Sequence, residues 1–252
     1  MSRQRLANRL AWQRAVHDPV SQPLNRLPTL PLLRAWQTKR LADGFKDFLA
    51  NPRMRPAAEF FLSDLYGDRD FSARDRDVAR ILPIMSRLLP ESLITAATDA
   101  IELAVLSHAF DLRMARALAE RREPMAPITV QDYAVAYRRT GCPRLRRHQI
   151  ELVLGVGWTL DAAVHKHGVF KLLRASRFPA RAAGLSELQG FLERGFGAFE
   201  QLGGAGEFLG AIGQRERQAS SRLFDGHPDP FGDGVSRTPR RGSDGSRARS
   251  EP

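Results

Sequence analysis

A chain of 252 residues, 42% hydrophobic and 27% charged, is long enough to bury a sizeable core, and its composition is that of an ordinary soluble globular protein rather than a disordered or collagen-like one. Its single cysteine, Cys142, excludes an intramolecular disulfide framework and a Cys-only zinc site. Lys and Arg number 39 against 28 Asp and Glu, and the resulting charge of +11 raises an anionic partner as a possibility.

Residues 3–17 read as a short basic helix, after which Pro19, Pro23, Pro28 and Pro31 punctuate a linker. A helix over 32–50 follows, with Leu33, Trp36, Leu41, Phe45, Phe48 and Leu49 as its apolar stripe. Pro52 and Pro56 mark a break and a restart, because proline suits a first turn and not a helix interior. The next helix is expected to end at Tyr66, with Gly67 where a left-handed cap would sit. Ser72 and Asp75 have capping-box-like spacing for a helix whose face is Val78, Ile81, Leu82, Met85, Leu88 and Leu89, kinked at Pro83.

Pro90 opens the longest element, 91–122, apolar on most of its circumference, as a helix at the centre of a bundle should be. Thr129 and Asp132 cap a short helix to about 139, and another over 144–167 carries Leu145, Leu152, Val156, Leu160 and Val164 on one side. A short segment, 168–178, precedes Pro179. Ser186 and Gln189 again have capping-box spacing, Gly203 and Gly204 break the chain, and Phe208, Leu209, Ile212, Ala219 and Leu223 mark the last helix. No run of alternating β-branched residues bounded by turns occurs. The expected fold is all-α, a bundle of about eight helices with no sheet.

Three parts are expected: a basic N-terminal extension with a short helix and Pro-rich linker over 1–27, a helical bundle over 28–225, and a disordered tail over 226–252, where Gly, Pro, Ser, Asp and Arg leave almost nothing to bury. No stretch is long and apolar enough to span a membrane, and the N-terminus lacks the apolar run of a secretory signal, so a cytoplasmic location is the default.

Phe60-Phe61-Leu62-Ser63-Asp64-Leu65-Tyr66-Gly67, continuing Asp68-Arg69-Asp70-Phe71, resembles the motif of the bacterial FFLEELY-motif proteins. The likeness extends through Arg74-Asp75 and Leu82-Pro83-Ile84-Met85, and Gly190-Phe191-Leu192-Glu193-Arg194-Gly195-Phe196 has the look of the family's C-terminal half. Ser63 and Asp64 stand where the family tends to carry two glutamates, so a site needing both carboxylates would be incomplete here. The resemblance implies an all-helical fold and supplies no mechanism. Physically, Phe60, Phe61, Leu62, Asp64, Leu65, Tyr66 and Gly67 form a helix end: Phe61 and Leu65 share one face, and Leu62 and Tyr66 share the adjoining one.

Chemistry-bearing patterns are mostly absent. There is no phosphate loop of the Gly-x4-Gly-Lys-Ser/Thr type, no His-Glu-x-x-His and no Gly-x-Ser-x-Gly. Gly203-Gly204-Ala205-Gly206 lacks a following Lys and reads as a helix–helix turn, while Gly155 and Gly157 suit a close approach of two helices. His148 and Glu151 are in the reverse order for a di-iron pair, so neither a metal nor a cofactor is expected.

The charge is unevenly spread. Residues 1–27 carry +4, 28–137 are neutral, 138–181 carry +8, 182–225 carry −2 and 226–252 carry +1. The basic segment comprises Arg138, Arg139, Arg144, Arg146 and Arg147 around a turn, then Lys166, Lys171, Arg174, Arg177 and Arg181 interleaved with apolar residues. Such a stretch fits an anionic lipid surface, a nucleic-acid backbone or an acidic protein. The preferred expectation is a non-catalytic helical interaction protein with this basic face. The alternative is an enzyme or metal/cofactor-binding bundle using Glu102, His108, Asp111, His148 and Glu151.

Overall fold

The computed structural model describes residues 2–65, 91–121, 126–166, 174–175, 177–178 and 186–232. Every described regular element is helical: α1 Ser2–His17, a 3-10 turn Pro23–Arg26, α2 Thr29–Gly44, α3 Lys46–Ala50, α4 Arg55–Phe60 running into a π turn Phe61–Leu65, α5 Glu91–Ala119, α6 Val130–Thr140, α7 Pro143–Val164, α8 Ser186–Leu202 and α9 Gly206–Phe224. The fold is all-α. The expected helix over 72–89, its kink at Pro83, Tyr66 and Gly67 lie outside the described residues.

Helix α5 is central, packing against α1, α2, α6 and α7. Its circumference is apolar enough to serve several neighbours at once: Val105, Met114 and Ala115 are fully covered, and Ile101, Leu106, Phe110, Leu112 and Leu118 nearly so. One core joins α2, α5, α6 and the end of α9 through Leu33, Leu112, Leu118, Tyr133, Tyr137 and Leu223. A second joins α3, α4, α7, α8 and α9 through Phe48, Phe61, Val153, Phe199, Phe208 and Ile212. Leu106, Phe110 and Leu152 form a third, smaller cluster where α5 meets α7.

Local chemistry sets the boundaries. Thr129 and Asp132 form the reciprocal capping box, the Thr129 hydroxyl accepting from the Asp132 amide at 3.1 Å and the Asp132 carboxylate accepting from the Thr129 amide at 3.0 Å. Between α8 and α9, Gly203 and Gly204 have φ of 61° and 129°, and the Asp161 carboxylate accepts the Ala205 amide at 3.0 Å, fixing the turn against α7. Gly157 lets α7 and α9 close, since a Cβ there would meet Leu209 Cδ2 at 2.5 Å. Gly155 has open space around it instead.

Three differences from the sequence expectation have physical causes. The helix expected over 32–50 is broken at Phe45, whose backbone leaves the helical region (φ −108°, ψ 10°), so that Phe45 and Phe48 both reach Phe208 of α9. Pro31, expected in the linker, lies in the first turn of α2, where its missing N–H costs nothing. The packed chain also continues past 225: Pro230 is fully buried, and Phe231 lies against Trp36 and Tyr133 at ring separations of 5.9 and 5.8 Å. Two apolar residues suffice to anchor a stretch whose Gly and Pro content reads as disorder. The remainder of the expected tail, 233–252, is outside the described residues.

Candidate anion-binding face

The cations of 138–181 have different fates. Arg138 donates to the Leu223 carbonyl at 3.1 Å, closing the end of α9. Arg139 binds Glu120 at 3.0 Å; Arg116, chiefly, and Arg139 hold that carboxyl below its usual range. Arg146 is buried: its guanidinium stacks 3.6 Å from the Phe110 ring centroid and 4.4 Å from that of Tyr137, and reaches Gln149 Oε1 and Met114 Sδ. Its Nε has no hydrogen-bond partner among the described residues. Arg177 is engaged by Glu193, whose carboxyl is held down at about 2, mainly by that hydrogen bond and further by Arg174. Arg174 itself is exposed. Lys171 and Arg181 lie outside the described residues.

Lys166 is exposed just past the end of α7. Arg144 and Arg147 remain, both exposed at the start of α7 and without a carboxylate partner among the described residues. Arg113 of α5 joins them, its Nη1 lying 3.7 Å from Cys142 Sγ, the residue that precedes Pro143 and holds the left-handed conformation (φ 61°) at the α6–α7 corner. Arg113 is hidden from the segment charges, because it sits in the neutral stretch 28–137 and reaches the corner only through the packing of α5 on α7.

The fold also joins the two basic segments. Helix α1 lies along α5 in parallel and α7 lies along it in the opposite direction. They meet at one carboxylate. Glu102 accepts Arg9 of α1 at 3.0 Å and contacts His148 Nε2 of α7 at 3.2 Å. Burial raises the neighbouring Asp99 carboxyl, with Arg5 and His148 opposing that shift. Trp12 of α1 and Leu145 of α7 are exposed apolar side chains next to these cations, at 39% and 45% exposure. Five other described arginines are structural clamps between elements: Arg40 on Glu216, Arg53 on Glu207, Arg194 on Asp64, Arg215 on Asp47 and Arg217 on Glu151.

The carboxylates and histidines of the alternative reading fall into three separate groups. Glu102 and His148 pair as above, and Glu151 pairs with Arg217. His108 and Asp111 share Arg34, which donates from Nη2 to His108 Nδ1 at 2.7 Å and approaches Asp111 at 3.5 Å. Burial pushes the Asp111 carboxyl up, with Arg34 and the Gln37 amide opposing it. Among the described residues, no three His, Cys, Asp or Glu side chains gather as metal ligands would.

The segment of the family resemblance is a packed corner. Phe60 and Phe61 are buried, Leu62 is partly buried, and Asp64 is 3% exposed and bound by Arg194 of α8 at 2.6 Å. Leu65 ends the π turn.

The family model for a domain of unknown function, DUF8198, matches residues 17–230, and the chain belongs to that family. Helix α1, up to Val16, precedes the matched region. No curated protein and no solved structure matches. No described helix is long and apolar enough to cross a membrane.

Proposed function

We propose that this protein is a non-catalytic helical interaction protein whose α1–α7 face docks on an anionic lipid surface. The observation that carries the reading is the convergence of Arg9 and His148 on Glu102, which sets the two basic segments side by side with few counter-charges. Arg144, Arg147 and Arg113 continue the face at the α6–α7 corner, where they supply charge without an acidic partner among the described residues. Trp12 and Leu145 give it the apolar element that favours a headgroup layer over a bare polyanion. Phe60–Leu65, for all its likeness to the FFLEELY-motif proteins, serves as a structural corner in this reading, supported by the Asp64–Arg194 pair.

Cosedimentation with phosphatidylcholine vesicles, with and without phosphatidylserine, tests the proposal. Binding confined to the anionic vesicles and weakened by salt is expected. Stronger binding to a DNA oligonucleotide, with the same dependence on Arg144 and Arg147, would keep the face and replace the ligand. No binding to either would remove the reading.

A further inference from the structure

Helix α1 packs along α5. Among its described side chains only Gln13 is buried, so its hold on α5 at these positions is mainly polar. At the N-terminal side Arg9 binds Glu102. At the C-terminal end His17 stacks flat on His108, ring centroids 4.0 Å apart and planes 9° from parallel. His17 is exposed and His108 is 5% exposed, so His17 forms the lid of the deeper ring.

The hydrogen bonds fix the proton on His108. A guanidinium only donates, so His108 Nδ1 accepts from Arg34 and carries no hydrogen. Nε2–H therefore donates to Asn25 Oδ1 at 2.8 Å, and the Asn25 amide nitrogen donates to the carbonyls of Val16 and Gln22 at 2.9 and 3.0 Å. The chain of donors runs from α2 through α5 and the 3-10 turn to the last turn of α1. A proton on His108 Nδ1 would point a second donor at Arg34 Nη2 and place a cation under the His17 ring. The network holds only with His108 neutral.

We propose that this network is a proton-sensitive latch, in which protonation of His108 releases the C-terminal end of α1 from the bundle. The groups facing the ring are His17 from α1, Asn25 from the 3-10 turn and Arg34 from α2; Asp111, on α5 itself, is engaged by Arg34 and Gln37 of α2. Burial first, then His17 and Arg34, hold the docked ring's pKa down at about 3. A released imidazole titrates near 6.5, so lowering the pH from about 7.5 to about 5 raises the ratio of open to docked α1 about 30-fold. The latch is independent of the anionic ligand proposed above.

Hydrogen exchange of the full chain, corrected for intrinsic rates, measures the opening directly. Protection over 10–17 is expected to fall about 30-fold across that pH range while protection over 130–140 holds, and His108→Gln, which keeps an acceptor for Arg34 and a donor for Asn25, should flatten the response. An unchanged α1 in the wild type, an equal response in His108→Gln, or joint loss of protection in α1 and α6 would overturn the latch. Should His108→Gln not fold, NMR of the wild-type imidazole decides. No titration of the docked ring between those pH values is expected, and an ordinary midpoint near 6.5 would refute the proposal.

Discussion

Asp64 and Arg194 stand 130 residues apart in the chain and 2.6 Å apart in the fold. One turn before Asp64, the Phe60 ring fills the space beside Gly195, the residue after Arg194, where a Cβ would come within 2.8 Å of Cζ. An ion pair and an aromatic–glycine contact thus lock the π turn after α4 onto α8. The two segments singled out by the family resemblance, around Phe60 and around Arg194, touch each other.

Gly195→Ala is therefore expected to lower stability by about 1–3 kcal/mol through overpacking against Phe60. Gly197→Ala, two residues on and with nothing within 4 Å of the new methyl group, should raise it by about 0.5–1 kcal/mol through helix propensity. Urea unfolding of the two variants checks the contrast, and equal effects would mean that Phe60 is not seated on α8 as described.

Arg146 and Arg147 are neighbours with opposite roles. Truncating Arg146 to Ala empties the slot between Phe110 and Tyr137 and should cost about 2–4 kcal/mol, whereas Arg146→Met, which refills it without a buried charge, should stay within about 1 kcal/mol of the wild type. Arg147→Ala, at an exposed position, should change stability by less than about 0.5 kcal/mol. Thermal melts of the three proteins give the answer.

The C-terminal contact is testable in the same way. Phe231→Ala removes the ring lying against Trp36 and Tyr133 and the surface over which Arg40 stacks at 5.0 Å. A loss of about 1–3 kcal/mol is expected, on the scale of a partly buried aromatic side chain. A neutral result would return 226–232 to the dispensable tail suggested by composition.

Stability should also depend on pH through His108. Its pKa is about 3 in the fold and about 6.5 in the unfolded chain, so the unfolded state binds more protons between those values. Its contribution is present in full above about pH 6.5 and fades as the pH falls towards 3, with about 2 kcal/mol lost by about pH 5. The difference between wild-type and His108→Gln denaturation midpoints, measured at both pH values, isolates this contribution from other groups.

Most of the architecture was legible in the sequence because it depends on local rules. The apolar circumference of 91–122 marks a central helix, Thr129 and Asp132 mark a cap, and Gly203-Gly204 marks a turn. The break at Phe45 was not legible, since it is set by Phe208, which the chain brings there from α9. The face was half legible. Charge excess in 1–27 and 138–181 can be counted, but their meeting at Glu102 depends on how α1 and α7 lie on α5. The burial of Arg146 was equally hidden, because a cation at a turn reads as surface until Phe110 and Tyr137 are placed around it.

The basic face is tested most directly by the affinity of the full chain for phosphatidylserine-containing vesicles before and after Arg144→Glu/Arg147→Glu. With each arginine near the surface contributing about 1 kcal/mol, loss of both should weaken binding by at least about 30-fold. The thermal midpoint should stay at the wild-type value. Unchanged affinity in a folded double variant would contradict the account.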